Sequence, residues 1–311
     1  MATQTKRDRR EQARLKREEL RRREARRRRL RVAAGAVAAA AAAAAVVAVL
    51  TASKGGGGSP TAPFVGGDLH SLVVDPSDPT RLFVGGHEGV AVSTNAGETW
   101  RSVDALGGAD AMGWAFTDDA VMVGGHPGLE VSTDGGMTFE QQNEGLPNTD
   151  VHALGAGGRV IYGASPAAGV FASTDGGETW QMRTEQAGQS FMGRILVDPE
   201  DSDHLVAPDM QAGAVQSNDG GLTWRSLGGV PGAMWVSWDP DDPLHIISSA
   251  QGTAAETTDG GRTWTPIEVP SGVLIVEMAP GEPDTLFGAA HEGSNAVVYV
   301  SHDGGRRWTR S

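Results

Sequence analysis

From residue 64 onward, short apolar runs alternate with breaks rich in Gly, Asp, Pro and Ser. Leu69–Val74, Arg81–Gly85, Val90–Ser93 and Thr99–Val103 read as four consecutive strands, because β-branched and apolar residues dominate them and turn residues bound them. The breaks are "DPSDPT" (75–80), read as a turn, "HEG" (87–89), read as a short loop, and an eight-residue phrase at 93–100. That phrase recurs. Ser93–Trp100 (STNAGETW), Ser132–Phe139 (STDGGMTF), Ser173–Trp180 (STDGGETW), Ser217–Trp224 (SNDGGLTW), Thr257–Trp264 (TTDGGRTW) and Ser301–Trp308 (SHDGGRRW) start 39, 41, 44, 40 and 44 residues apart. Self-similarity at this period predicts a propeller or solenoid, and four short strands per repeat, six times, predict a six-bladed β-propeller over 64–311.

The phrase has a physical logic. Asp bonds the backbone N–H groups just downstream, and Gly supplies positive φ, so Asp-Gly-Gly closes a tight hairpin. The Trp then covers the turn and buries a large apolar area. Six equal carboxylates make a turn staple, since catalysis needs a single constellation. Asn95-Ala96 replaces Asp-Gly in the first copy, which predicts a looser turn there, and Phe139 replaces Trp in the second. The pattern Ser/Thr-x-Asp-x-Gly-x-x-Trp resembles the Asp box, or BNR repeat, of the sialidase-like and glycosylhydrolase-like bacterial propellers. The resemblance spans residues 64–311 and implies an all-β fold. Each blade reads as contiguous from first to last strand, so the expected ring has no strand exchanged at its seam, and Phe64–Gly67 is the segment available to close it.

Charge divides the chain. Residues 1–31 hold 15 Lys/Arg against 5 Asp/Glu, whereas 55–311 hold 10 Arg against 34 Asp/Glu, a balance of −24. The first segment reads as a basic helix. Val32–Ala52 is uncharged and, at 1.5 Å per residue, spans about 30 Å as a helix, the thickness of a bilayer core. An uncharged run behind an Arg cluster predicts a single-pass signal anchor over 32–53, with residues 1–31 cytoplasmic and the remainder extracytoplasmic at the cell membrane. Cleavage after Thr51-Ala52-Ser53, giving a secreted protein, is the alternative. The length of the basic segment favours the anchor. Residues 54–63 read as a flexible linker. The chain has no cysteine, which excludes disulfides and thiolate metal sites. The acidic propeller disfavours nucleic acid as a partner.

Propeller geometry puts the connections between blades, and the loops between second and third strands, around one end of the central channel. His or Met recurs there. His70, Met112, His152, Met192 and Met234 stand at the starts of inner strands, and His87, His126, Met210 and His291 in the loops. One reading is packing: Met fills irregular gaps and His satisfies buried polar groups. The other is a metal site built from these nine residues. Imidazole and thioether without thiolate suit copper, and zinc on His with a carboxylate is the second choice. Asp68, Asp110, Asp150, Asp209, Glu88 and Glu292 lie beside them in sequence.

The expected function is a ligand-, metal- or protein-binding module working through this mouth, with glycoside hydrolysis of exo-sialidase-like type as the alternative. Sialidases resemble one another in an Arg triad, a Tyr–Glu pair and an Asp. Here only Arg194 of the ten propeller arginines falls near the mouth, and both tyrosines, Tyr162 and Tyr299, fall inside strands. Repeat length and boxes are also similar to propellers that assist photosystem II assembly and to the sortilin-type receptor propeller, which implies protein partners.

Overall fold

A computed structural model describes residues 62–311. The expected basic segment, the anchor over 32–53 and all but the last two residues of the linker lie outside the described residues. Among the described residues no helix is long and apolar enough to cross a membrane.

The described residues form six sheets, in each of which four strands pair antiparallel in sequence order, and the short strand Gly193–Arg194 adds to the third sheet by pairing parallel with Ala153–Gly157. The blades span 69–102, 110–141, 153–184, 196–228, 235–267 and 273–310. This is the expected all-β six-bladed propeller. In blade 1 the strands are Leu69–Asp75, Asp78–Gly86, Val90–Ser93 and Arg101–Ser102. The first turn is shorter than the sequence suggested. Asp75 Oδ1 accepts from the Ser77 N–H and Ser77 Oγ, each at 2.7 Å, so pairing resumes at Asp78. The same tightening recurs at Asp198 and Asp239, whose carboxylates accept from the N–H two residues on. The outer strand is shorter than the expected Thr99–Val103, because the box Trp turns back over its own turn.

The repeated phrase folds as its chemistry requires. In the third copy Ser173 Oγ donates to Asp175 Oδ1 (2.7 Å) and accepts from the Gly177 N–H (2.9 Å). Asp175 accepts from both the N–H and the hydroxyl of Thr179, and Trp180 Nε1 donates to Gly177 O. These bonds hold the Asp175 carboxyl down at about 2.

Neighbouring blades lock through their inner strands. Ser71 Oγ donates to Ala111 O and accepts from Trp114 Nε1, both at 2.8 Å. Ser237 Oγ donates to Val276 O and accepts from the Met278 N–H. Trp114 is fully buried against Phe83 of blade 1, with ring centroids 5.0 Å apart. Gly155 is required between blades 3 and 4, where a Cβ would lie 1.6 Å from Ile195 O.

The central channel is filled on the axis. Glu277 on the inner strand of blade 6 is fully buried and pairs with Arg194, which precedes the inner strand of blade 4. Trp235 Nε1 of blade 5 donates to its other oxygen at 2.8 Å. Burial pushes the Glu277 pKa up, against the Arg194 charge and the hydrogen bonds from Trp235 and the Val74 N–H. Four strands, three of them inner strands of blades 1, 5 and 6, therefore meet on one carboxylate.

Ring closure uses the segment that precedes blade 1. Phe64 bridges to Asn295 of blade 6. The Val65 and Gly66 N–H groups donate to Ser294 O, and the Ala296 N–H donates to Pro63 O. On the other side the Glu88 N–H of blade 1 donates to Val65 O, and Val65 is completely buried. The strap thus joins the loops of the first and last blades.

Candidate functional site

Four of the nine expected His/Met residues meet at the mouth, together with two aspartates. His70 is the extra residue at an irregularity in the inner strand of blade 1, between the paired positions Leu69 and Ser71. Such a bulge re-aims a side chain. Its Nδ1 lies 2.6 Å from Oδ1 of Asp110, the first residue of blade 2. His87, from the loop of blade 1, brings Nδ1 within 3.6 Å of Asp110 Oδ2. His126 ends the second strand of blade 2, held close to Asp110 by Gly125, where a Cβ would lie 1.5 Å from Asp110 O.

His126 connects this group to a second one. Its Nδ1 is 3.4 Å from Asp110 Oδ2, and its Nε2 is 3.0 Å from Asp150 Oδ1. His152, entering blade 3, places Nε2 2.8 Å from the same Asp150 oxygen. The imidazoles pair edge-on, His70 with His87 and His126 with His152, with centroids 5.9 and 6.0 Å apart. The result is a continuous row of four imidazoles and two carboxylates across three blades.

The electrostatics favour ligation. Burial disfavours the Asp110 anion, but the His70 hydrogen bond and the nearby imidazoles outweigh it and lower its pKa. Burial lowers the His152 pKa, against the Asp150 charge, which keeps the imidazole neutral with a lone pair to offer. Asp150 Oδ1 is buried and makes no hydrogen bond, although two ring nitrogens lie within 3.0 Å, because neither is directed along a hydrogen-bonding line. A buried carboxylate oxygen in that state calls for a partner.

Two triads, His70–His87–Asp110 and His126–Asp150–His152, each offer donor atoms within 4.8 Å of one another. Donors sharing one ion at metal bonds of 2.0–2.2 Å stand about 3–4 Å apart, so small side-chain rotations suffice. The donor set is nitrogen and oxygen. The aspartates were legible only as neighbours of the His/Met positions, yet the spacing Asp-x-His or Asp-x-Met at the blade starts (68–70, 110–112, 150–152) marks them.

The other five expected ligands are placed differently. His291 Nε2 contacts Gly66 O of the closing strap at 3.2 Å. Met112 is buried at the matching irregularity of blade 2, Met192 and Met234 are half-buried, and Met210 is exposed on a turn. Of the acidic neighbours, Asp209 caps its own turn through Ser190, Gln211 and Ala212, and Glu292 contacts Arg310. Trp114 and Trp235 are fully buried and offer no aromatic anchor to a partner. On the opposite face a groove of about 510 Å³ opens between blades 2 and 3, lined by Asp118, Asp119, Arg159, Asp175 and Glu178 among others.

Residues 171–182 match the BNR/Asp-box repeat. With six such turns, one per blade, the type of fold is settled. The chain is a BNR/Asp-box propeller. Solved structures agree on this architecture. A GH74 xyloglucanase from Xanthomonas campestris superimposes with a TM-score of 0.55 at 18% identity, over 81% of this chain and 46% of its own. This BNR propeller therefore spans about half the length of that enzyme. YCF48 bound to D1 peptide gives 0.52 at 17% identity, over 82% and 86%. A chain of a nidogen/laminin complex gives 0.58 at 12% identity, over 71% and 88%. At these identities the likeness is one of fold. No curated protein matches the sequence.

Proposed function

We propose that this chain is a membrane-tethered, extracytoplasmic binding propeller whose mouth takes a transition-metal ion. The observation that carries the reading is the convergence of His70, His87, Asp110, His126, Asp150 and His152 from three blades, with Asp150 Oδ1 buried and without a hydrogen bond. Imidazole with carboxylate suits zinc or oxidised copper. The Cu(I)–thioether variant loses ground, because the side chains that gather are His and Asp. Tethering rests on the charge asymmetry and the uncharged run at 32–52. Metal analysis of the full chain, solubilised in detergent and titrated with Zn²⁺ and Cu²⁺, tests the site. Stoichiometric binding that is lost when His70 and His126 are both replaced by Gln supports it, and absence of binding overturns it. Protease protection of residues 1–31, but not of the propeller, in sealed right-side-out membrane vesicles tests the topology.

A second reading is favoured by the similar structures, since YCF48 is bound to D1 peptide and the nidogen/laminin propeller belongs to a protein complex. A protein segment is then the ligand of the mouth, with the metal as part of the recognition surface. Glycoside hydrolysis draws support only from the fold shared with the xyloglucanase.

A further inference from the structure

The row of ligands at the mouth has an internal symmetry that a single-ion site does not need. Each carboxylate faces two or more imidazoles, and His126 alone faces both. One of its ring nitrogens points to each aspartate, Nδ1 to Asp110 and Nε2 to Asp150, at 3.4 and 3.0 Å. On the far side of Asp110 stand His70 and His87; on the far side of Asp150 stands His152. Every side chain in the row therefore belongs to one half or the other, except the one in the middle.

We infer that the mouth is a two-metal site in which the His126 imidazole bridges the ions. The first ion is held by His70, His87, Asp110 and His126 Nδ1. The second is held by His126 Nε2, Asp150 and His152, with open positions toward solvent. This inference deepens the metal-binding reading above and rests on it. Each half supplies nitrogen and carboxylate oxygen, which suits Zn²⁺ and Cu²⁺. The buried oxygen of Asp150 that lacks a hydrogen bond lies in the second half, where an ion would satisfy it together with the two nitrogens already near it. Binding through both ring nitrogens removes the one imidazole N–H proton of His126 to solvent, with no change in oxidation state of protein or metal. His126 is suited to this: its side chain is more than half exposed, so both the proton and an incoming ion have a path. The open positions make the second ion the point where an external donor, such as a peptide imidazole or carboxylate, would attach.

The test uses the full chain in detergent, freed of metal by chelation and then loaded with Cu²⁺. Native mass spectrometry counts the ions, and electron paramagnetic resonance reads whether their spins are coupled through the bridge. Two ions per chain are expected, with low-temperature signal intensity well below that of two independent spins. His126→Gln is expected to bind one ion with full single-spin intensity. His152→Gln, which leaves the first half intact, is expected to behave likewise, with near-wild-type thermal unfolding showing that each variant is folded. A single ion in the parent chain, or two ions of full two-spin intensity, overturns the bridge while leaving metal binding in place. No ion at all overturns both the bridge and the metal-binding reading.

Discussion

Asn95 and Ala96 are where the repeated turn departs from its own pattern, and the structure shows what the departure costs. Asn95 Oδ1 serves the Ser93 hydroxyl, the Thr99 N–H and the Thr99 hydroxyl alone, the last at 3.2 Å. In the four Asp copies that carry this Thr, a second oxygen takes its hydroxyl at 2.5–2.8 Å. Ala96 sits at φ 55°, the left-handed conformation that the other copies assign to Gly. The turn keeps its shape and carries strain rather than loosening. Ala96→Gly is therefore expected to raise the unfolding free energy by about 1 kcal/mol, read from urea denaturation. The acidic copies make a pH prediction. Asp175, Asp219 and Asp259 are held at about 2 in the folded chain against 3.8 for the free side chain. Between those values the unfolded chain binds more protons, so stability is full above pH 4 and falls as pH drops toward 2. Tm measured from pH 6 to pH 2 should fall in that window, and Asp175→Asn should flatten the fall. Residue identity also marks the limit of sequence reading at the mouth. His70 and Met112 hold equivalent bulged positions, and an Asp stands at the start of the blade after each, yet only His70 bonds that carboxylate, because an imidazole can hydrogen-bond it and a thioether has no proton to donate. That match is made across a blade boundary, 40 residues along the chain, so the recurring Asp-x-His spacing acquires its meaning only once the blades are set side by side.

At the scale of the strand, most of the fold was legible because each blade repeats the same local grammar. Val90–Ser93 was read to the residue, and the inner strand of blade 1 to within one. The turns after the inner strands were read too long, since an Asp that caps a two-residue turn looks the same in sequence as an Asp in a six-residue loop. What holds one blade to the next was less visible. Ser71 carries the contact between blades 1 and 2, accepting from Trp114 and donating to Ala111. Ser71→Ala should cost about 1–3 kcal/mol by leaving the buried indole N–H unpaired, and Trp114→Ala about 3–5 kcal/mol, both read by chemical denaturation. The sequence points to Phe64–Gly67 as the segment available for closure, and the structure shows the strap one residue earlier, at Pro63–Gly66, with hydrogen bonds to both end blades.

For the molecule as a whole, the buried Arg194–Glu277 pair is as costly to disturb as a blade seam. Glu277, Arg194 and Trp235 come from three different strands, and the Val74 N–H adds a fourth. Removing one charge strands the other in an apolar centre. Arg194→Met is expected to cost about 3–5 kcal/mol, and Arg194→Met with Glu277→Gln should recover a large part of that, because the loss lies mainly in the unpaired charge. Thermal unfolding of the two variants side by side checks it. The same contacts tie blades 1, 5 and 6 to Arg194 at one buried point.

The strap gives the propeller a clasp as well as a closure. Any pull on the chain from the side of residue 62 enters the domain at Pro63–Gly66, and the first bonds it strains are those to Ser294, Asn295 and Ala296 of the last blade. Tension is thus shared at once between the two ends of the ring instead of peeling the first blade away alone. Because the clasp touches His291 and Glu88, the same pull reaches the second-to-third-strand loops of both end blades together.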